Sequence, residues 1–236
     1  APTNVPKGSN YPDLAFPLDD GNVQCPTTNP ADPNYNQAVC IRDNYTMYPV
    51  QRTFFTNAFY GNDQLRQRVA FALHQILVVS ANSEVNRPSW MTVYLQALDR
   101  NAFGSYRTLL NEITLTPAMG EYLDMRLSTR TNPNENFARE ILQLFSIGTD
   151  VLNLDGTPVR DAQGNPVPSY SQADVNEFTR VFTGWNFATA LGAGITNYGD
   201  PMFRRGKQNH DAGAKTLLNG FTIAACTSTN SAQNIA

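Results

Sequence analysis

The stretch Asn132-Pro133-Asn134-Glu135-Asn136-Phe137-Ala138-Arg139-Glu140-Ile141-Leu142-Gln143-Leu144-Phe145 sets carboxylates, amides and a guanidinium at helical spacing among apolar residues. Asn136 and Glu140, and likewise Arg139 and Gln143, are i,i+4 neighbours, opposite an apolar stripe of Phe137, Ile141, Leu144 and Phe145. A carboxylate beside an arginine and an amide suits general acid/base work on a glycan, and Glu135, Asp174 and Glu177 are further carboxylates on helical stretches that could converge with it. The same pattern has a structural explanation. Asn132 fits an N-cap, Pro133 fits the first helical position, and Glu135 can reach back to complete a capping box. A structural polar network is the first expectation for this face, and a site containing Asn136, Arg139 and Glu140 the second.

Two other clusters carry chemical residue types. Arg66, Arg68, His74 and Gln75 flank Val69-Ala70-Phe71-Ala72-Leu73, a run apolar all round, which predicts a central buried helix whose charges must be paired. Arg68 against Glu135 or Glu140 is the expected pair, and His74 is expected to be a satisfied core histidine. His210-Asp211 has the letters of a metal-phosphohydrolase pair, but the chain holds two histidines and His210 runs into Ala212-Gly213-Ala214, a loop-like context. A catalytic zinc would need three protein ligands, which two histidines and scattered cysteines do not readily supply, so no metal or cofactor is expected. Asn153-Leu154-Asp155-Gly156 matches part of a calcium loop. Its first and last ligand positions would be Val151 and Ala162, so a hairpin turn is expected instead. No G-x-S-x-G elbow, phosphate loop or dinucleotide fingerprint occurs, which removes serine-hydrolase, nucleotide and Rossmann readings. The catalytic candidates are therefore Glu140, Arg139, Asn136, His210, Asp211 and Arg68.

The elements that would position these residues are helices. Helical periods run over Val50–Tyr60, Asp63–Ser80, Trp90–Ala102, Tyr106–Leu115, Ala118–Met125, Pro133–Ile147 and Gln172–Trp185. Between the last two, about 151–169, Asp155-Gly156 and Gln163-Gly164 signal the turns of a small β-hairpin insertion. Ser171 and Asp174 form a second capping-box pattern. Eight of the fifteen prolines fall at or before Pro49, so 1–46 reads as an irregular arm preceding a helical domain over 47–236. The expected fold is mainly α, a multi-helix orthogonal or bundle-like domain with that hairpin and that arm. Ser231-Ala232-Gln233 looks like a helix beginning, so the chain is expected to continue past Ala236.

Bulk properties bound the partners and the compartment. A net charge of -3 offers no basic field to a phosphate backbone, and Lys/Arg cluster only at Arg204-Arg205-Gly206-Lys207, so nucleic acid is not expected. The longest near-apolar stretch, Val69 to Val79, is broken by His74 and Gln75 and falls short of the roughly 20 residues that span a bilayer, so no membrane span is expected. Cys25 and Cys40 bracket a Pro/Asn/Thr-rich loop with little else to order it, and a disulfide there would contribute about 3 kcal/mol. Cys226 is left over. A start at Ala1 without Met fits a removed export signal, and together with the disulfide it points to a secreted or periplasmic location.

Six stretches in order resemble a bacterial domain-of-unknown-function family, number 1800. They are RDNYTMYPVQ at Arg42–Gln51, DQLRQRVAFALHQILVVS at Asp63–Ser80, LTPAMGEYLDM at Leu115–Met125, NPNENFAREILQLFSIG at Asn132–Gly148, YSQADVNEFTRVFTGW at Tyr170–Trp185 and NHDAGAKTLLNG at Asn209–Gly220. The resemblance implies a mostly helical, exported bacterial protein, commonly encoded beside a partner resembling sulfatases and alkaline phosphatases; it brings no reaction to carry over. Two functional expectations follow. The leading one is a binding or assembly component of the cell envelope, and the rival is a carboxylate-dependent hydrolase or lyase acting on an extracellular glycan.

Overall fold

The seven stretches of helical periodicity become seven helices. A computed structural model of the chain describes residues 25–81, 85, 87–188, 199–204 and 209–226, so the arm before Cys25, most of the basic cluster after Arg204 and the expected helix start at Ser231 lie outside the described residues. Among the described residues the fold is mostly helical, with eight α-helices and two short antiparallel strand pairs. The chain divides into two compact units, Ala1–Tyr122 with Phe187–Met202, and Leu123–Asn186 with Phe203–Ala236. No helix among the described residues is long and apolar enough to cross a membrane.

The first unit contains α1 (Gln37–Tyr45), α2 (Tyr48–Tyr60), α3 (Gln64–Ile76), α4 (Pro88–Arg100), α5 (Tyr106–Thr114) and α6 (Pro117–Tyr122). Helix α1 falls inside the stretch read as irregular. Asn36 starts it by accepting the Val39 N–H at 3.2 Å, but none of its residues is buried, so no apolar period marks it. The Cys25–Cys40 disulfide, with its Cα atoms 6.0 Å apart, ties the preceding loop to this helix, and Gln37 Nε2 adds a 3.0 Å bond to the Cys25 carbonyl. Helix α4 is the centre of the unit. Ten of its thirteen residues are buried, and it packs against α2, α3, α5 and α6. Tyr94, Ala97 and Leu98 on α4 join Leu109, Ile113, Ala118 and Met119 in a core none of whose members is more than 1% exposed.

Helix α3 departs from its expectation of central burial. Gln67 is its one buried residue, while Phe71 and Ile76 are 45% and 48% exposed. Its buried contacts are made by polar groups instead. Gln67 Nε2 reaches the carboxylate of Asp99 at 3.3 Å, Arg66 donates to the Asp99 carbonyl at 2.7 Å, and His74 Nδ1 lies 2.7 Å from the Tyr94 hydroxyl. An apolar run therefore does not fix which face of a helix meets the core when the neighbouring helix presents polar groups that must be bonded.

The second unit holds α7 (Asn136–Gln143) and α8 (Gln172–Val181), which pack together, and the strand pairs β1 (Trp185–Asn186) with β2 (Phe203–Arg204) and β3 (Lys215–Thr216) with β4 (Thr222–Ile223). The insertion forms around tight turns at Gly156 and Gly164, both in the left-handed region, and is closed by bridges Leu152–Pro158, Arg160–Pro166 and Asp150–Pro168. The calcium-like letters sit in the first of these turns, where Asp155 accepts the Thr157 N–H at 3.0 Å.

Helix α7 corrects the reading of its own ends. Asn132 is bridged to Thr129, so the expected capping box does not form; the helix begins at Asn136, whose N–H is taken by Asn134 Oδ1 at 2.9 Å. At the other end Phe145 N–H bonds Glu140 and Ile147 N–H bonds Leu142, five residues back rather than four. This wide turn shifts the register by one residue. Leu144 is 61% exposed, and the buried stripe is Phe137, Ala138, Leu142 and Phe145. Phe137 anchors it with an edge-to-face contact to Phe182, centroids 4.8 Å apart.

Leu142→Ala is expected to cost about 2 to 5 kcal/mol, as for other buried leucines, whereas Leu144→Ala is expected to stay within about 0.5 kcal/mol. Urea unfolding of the two variants beside the parent checks the order, and equal losses would restore the original stripe.

Candidate functional site

A charge cluster is built on α8. Ser171 and Asp174 cap it reciprocally, Ser171 N–H to Asp174 Oδ2 at 2.7 Å and Asp174 N–H to Ser171 Oγ at 3.3 Å, which fixes where the helix starts. Glu177 and Arg180, three residues apart, then share a face, and the guanidinium bonds both Glu177 oxygens at 2.8 and 2.9 Å. Arg180 also grips Asp211 as a fork, Nε to Oδ2 at 2.9 Å and Nη2 to Oδ1 at 3.1 Å, and donates to the Ala214 carbonyl at 2.9 Å. Lys215, only 3% exposed, donates to the carbonyls of Asp211 and Gly213 at 2.6 and 2.9 Å. The Arg180 guanidinium holds the Asp211 carboxyl down to about 2, and burial lowers the Lys215 ammonium below its ordinary value.

His210 sits beside this cluster without joining it. The ring is buried, and Nδ1 donates to the Thr183 carbonyl at 2.8 Å, so the proton is on Nδ1. Burial lowers its pKa, and the Asp211 N–H bonds Thr183 Oγ1 at 2.8 Å. Gly184, at φ +82°, lets the chain pass here. A Cβ at that position would lie 2.7 Å from the His210 nitrogen. Arg180 and Glu177 thus bind the 209–216 loop to α8, and among the described residues no three or more His, Cys, Asp or Glu are placed to hold a metal ion.

The α7 face forms a second network in the same unit. Arg139 bonds Glu135 at 2.6 Å and Gln172 at 3.0 Å, Gln172 returns a bond to Glu135 at 2.9 Å, and Asn136 reaches Asp124 at 3.4 Å. The Arg139 hydrogen bond, followed by that of Gln172, lowers the Glu135 carboxyl below its ordinary value. Glu140 is the exception. Its Oε2 is buried, and no hydrogen-bond partner is found for it among the described residues.

Arg68 belongs to the first unit. Its guanidinium donates to the Ala58 carbonyl at 3.4 Å and is otherwise exposed, while Glu135, in the second unit, is bonded by Arg139 and Gln172. His74 is satisfied, as expected. Because the Tyr94 hydroxyl spends its one proton on the Leu77 carbonyl, His74 must donate from Nδ1, and burial lowers its pKa, leaving a neutral ring. Arg68 and His74 both line a cavity of about 540 Å³ bounded by α2, α3 and α4.

The model of the family described as Protein of unknown function (DUF1800) matches residues 14–235. The chain belongs to this family. No curated protein and no solved structure matches it.

In this DUF1800 chain the structure places Asn136, Arg139, Glu140, His210 and Asp211 in one unit and Arg68 in the other. It brings Asp211 to Arg180 and Lys215, which were not among the sequence candidates. The i,i+3 spacing of Glu177 and Arg180 was a readable signal; the meeting with Asp211 spans 31 residues and was not. The cavity was hidden too, since Ala70 and Phe71 on its wall belong to the apolar run read as core.

The Asp211 shift gives a pH prediction. Its folded pKa lies below the unfolded value, so its stabilisation is present above about pH 4 and is lost as pH falls toward 2. Asp211→Asn is expected to cost on the order of 2 kcal/mol at pH 7 and to flatten acid destabilisation across that window. Unfolding midpoints measured from pH 7 to pH 2 test this; parallel curves for variant and parent would contradict it.

Proposed function

We propose that this protein is a binding or assembly component of the bacterial cell envelope, secreted or periplasmic. The observation that carries the binding reading is the cavity of the first unit, whose volume of about 540 Å³ lies in the range of about 300 to 1,000 Å³ used by small-ligand sites. It is concave and walled mainly by apolar and aromatic side chains, and among the described residues no Asp or Glu lines it. Acid/base chemistry on a glycan asks for two carboxylates in one cleft. The carboxylates of α8 are committed elsewhere, Asp174 to its cap and Glu177 to Arg180, and Glu135 to Arg139. The Cys25–Cys40 disulfide supports export, since such bonds persist in oxidising compartments. A protein partner resembling sulfatases or alkaline phosphatases is the assembly partner this reading includes.

One observation favours the rival hydrolase or lyase reading. Glu140 keeps a buried carboxylate oxygen with no hydrogen-bond partner among the described residues, as a catalytic group awaiting substrate would. Release of reducing ends from an envelope polysaccharide by the parent but not by Glu140→Gln would move the assignment there.

The binding reading is tested with N-phenyl-1-naphthylamine, a neutral apolar probe that brightens when it leaves water. Saturable one-to-one enhancement is expected, lost in Leu95→Trp, which fills the cavity from α4. A probe that never brightens would sink the reading.

A further inference from the structure

We infer that the cavity of the first unit takes an anionic amphiphile, an acyl or aryl chain ending in a carboxylate, and that Arg68 selects the charged end. This rests on the binding reading and names the ligand class for the same cavity.

The walls supply the apolar part of the argument. Phe54 on α2 and Phe71 on α3 meet with ring centroids 5.8 Å apart, while Met91, Leu95 and Leu98 of α4 also line the space. Met91 and Leu98 are 5% and 1% exposed, so the cavity reaches down to the buried helix and is not a flat patch. Depth of this kind suits a slender ligand inserted lengthwise more than the broad face of another protein.

The charge comes from the polar groups on the wall. Among the described residues Gln51, Gln67, Arg68 and His74 are the lining residues with nitrogen-bearing polar side chains, and of these Arg68 alone carries a formal charge. His74 is already bonded to Tyr94, and Gln67 to Asp63 and Asp99. Among the described residues Arg68 makes one long bond, 3.4 Å to the Ala58 carbonyl, from a group with five N–H donors. The shallow groove beside the cavity repeats the pattern with Arg52 among Tyr48, Phe55 and Phe59, and no carboxylate is among its described lining residues. An apolar body with a negative end complements both features, and a planar carboxylate can take two guanidinium N–H groups at once. A cationic amphiphile would find no counter-charge among the described lining residues.

Competition against N-phenyl-1-naphthylamine on the full chain decides it, using dodecanoate and 1-dodecanol, which share a chain and differ in the head group. Dodecanoate is expected to displace the probe at a concentration about tenfold lower, the scale of one charge-assisted hydrogen bond. Arg68→Gln, a change at an exposed side chain that leaves the fold intact, is expected to erase that difference while leaving dodecanol displacement unchanged. Equal displacement by the two compounds, or a preference that survives Arg68→Gln, overturns the anion assignment while the binding reading stands. A chain that sediments as a dimer and admits no probe has the cavity covered by a second copy, which overturns both.

Discussion

The burial of α4 is the constraint from which the first unit follows. A helix with ten buried residues must also bury the polar groups it carries, and these include Thr92, Tyr94 and Asp99. Each needs a partner, because an unbonded buried polar group costs roughly 1 to 3 kcal/mol. Thr92 turns back to the Pro88 carbonyl at 2.8 Å, while Tyr94 and Asp99 are met by His74, Gln67 and Arg66 of α3. Gln67 and His74 are seven residues apart, two turns on one face. With that face committed to α4, the apolar side chains of α3 are rotated away from the core, and the space they border is the cavity. The polar demand of one helix thus decides where the apolar surface of its neighbour goes.

The second unit meets a different difficulty. The loop after Asn209 has little apolar content of its own, so ordering it requires something other than core packing. Arg180 supplies that by acting on three parts of the structure at once: Glu177 on its own helix, the Asp211 carboxylate and the Ala214 carbonyl. Separately, such partly exposed pairs are worth about 0 to 1 kcal/mol. Joined through one rigid, forked guanidinium, they share the entropy cost of fixing a single side chain, and Lys215 adds bonds to the same turn. A His-Asp pair that looks chemical in sequence is therefore explained by how a polar loop is held against a helix.

Much of this was legible in the sequence and some was not, for reasons that can be assigned to residues. The helices from α2 to α8 were readable because periodicity reports burial of one side, and the Ser171–Asp174 cap was readable because it is local. Helix α1 buries nothing, so its period was absent. Leu144 was misplaced because the final turn of α7 widens, and a hydrogen bond five residues back leaves no mark on residue type. The Asp211–Arg180 pair and the cavity depend on contacts between distant segments, where spacing says nothing. Arg139 with Glu135 was within reach of the i,i+4 rule, but the pattern at Asn132-Pro133 drew Glu135 into a cap it does not make.

The apolar walls of the cavity raise an energetic question that the fold alone leaves open. Phe55, Phe59 and Phe71 are 56%, 73% and 45% exposed, and apolar area left in water forgoes about 25 cal/mol per Å² that burial would return. A polar side chain at any of these positions would cost the packing little. The core formed by Tyr94, Leu98, Leu109 and Ile113 is complete without them. Contiguous exposed aromatics rimmed by arginines have a physical reason when an apolar ligand covers them, because the area they leave in water is then recovered on binding. The same residues that weaken the free protein would then stabilise the complex, so stability and occupancy are linked through one surface.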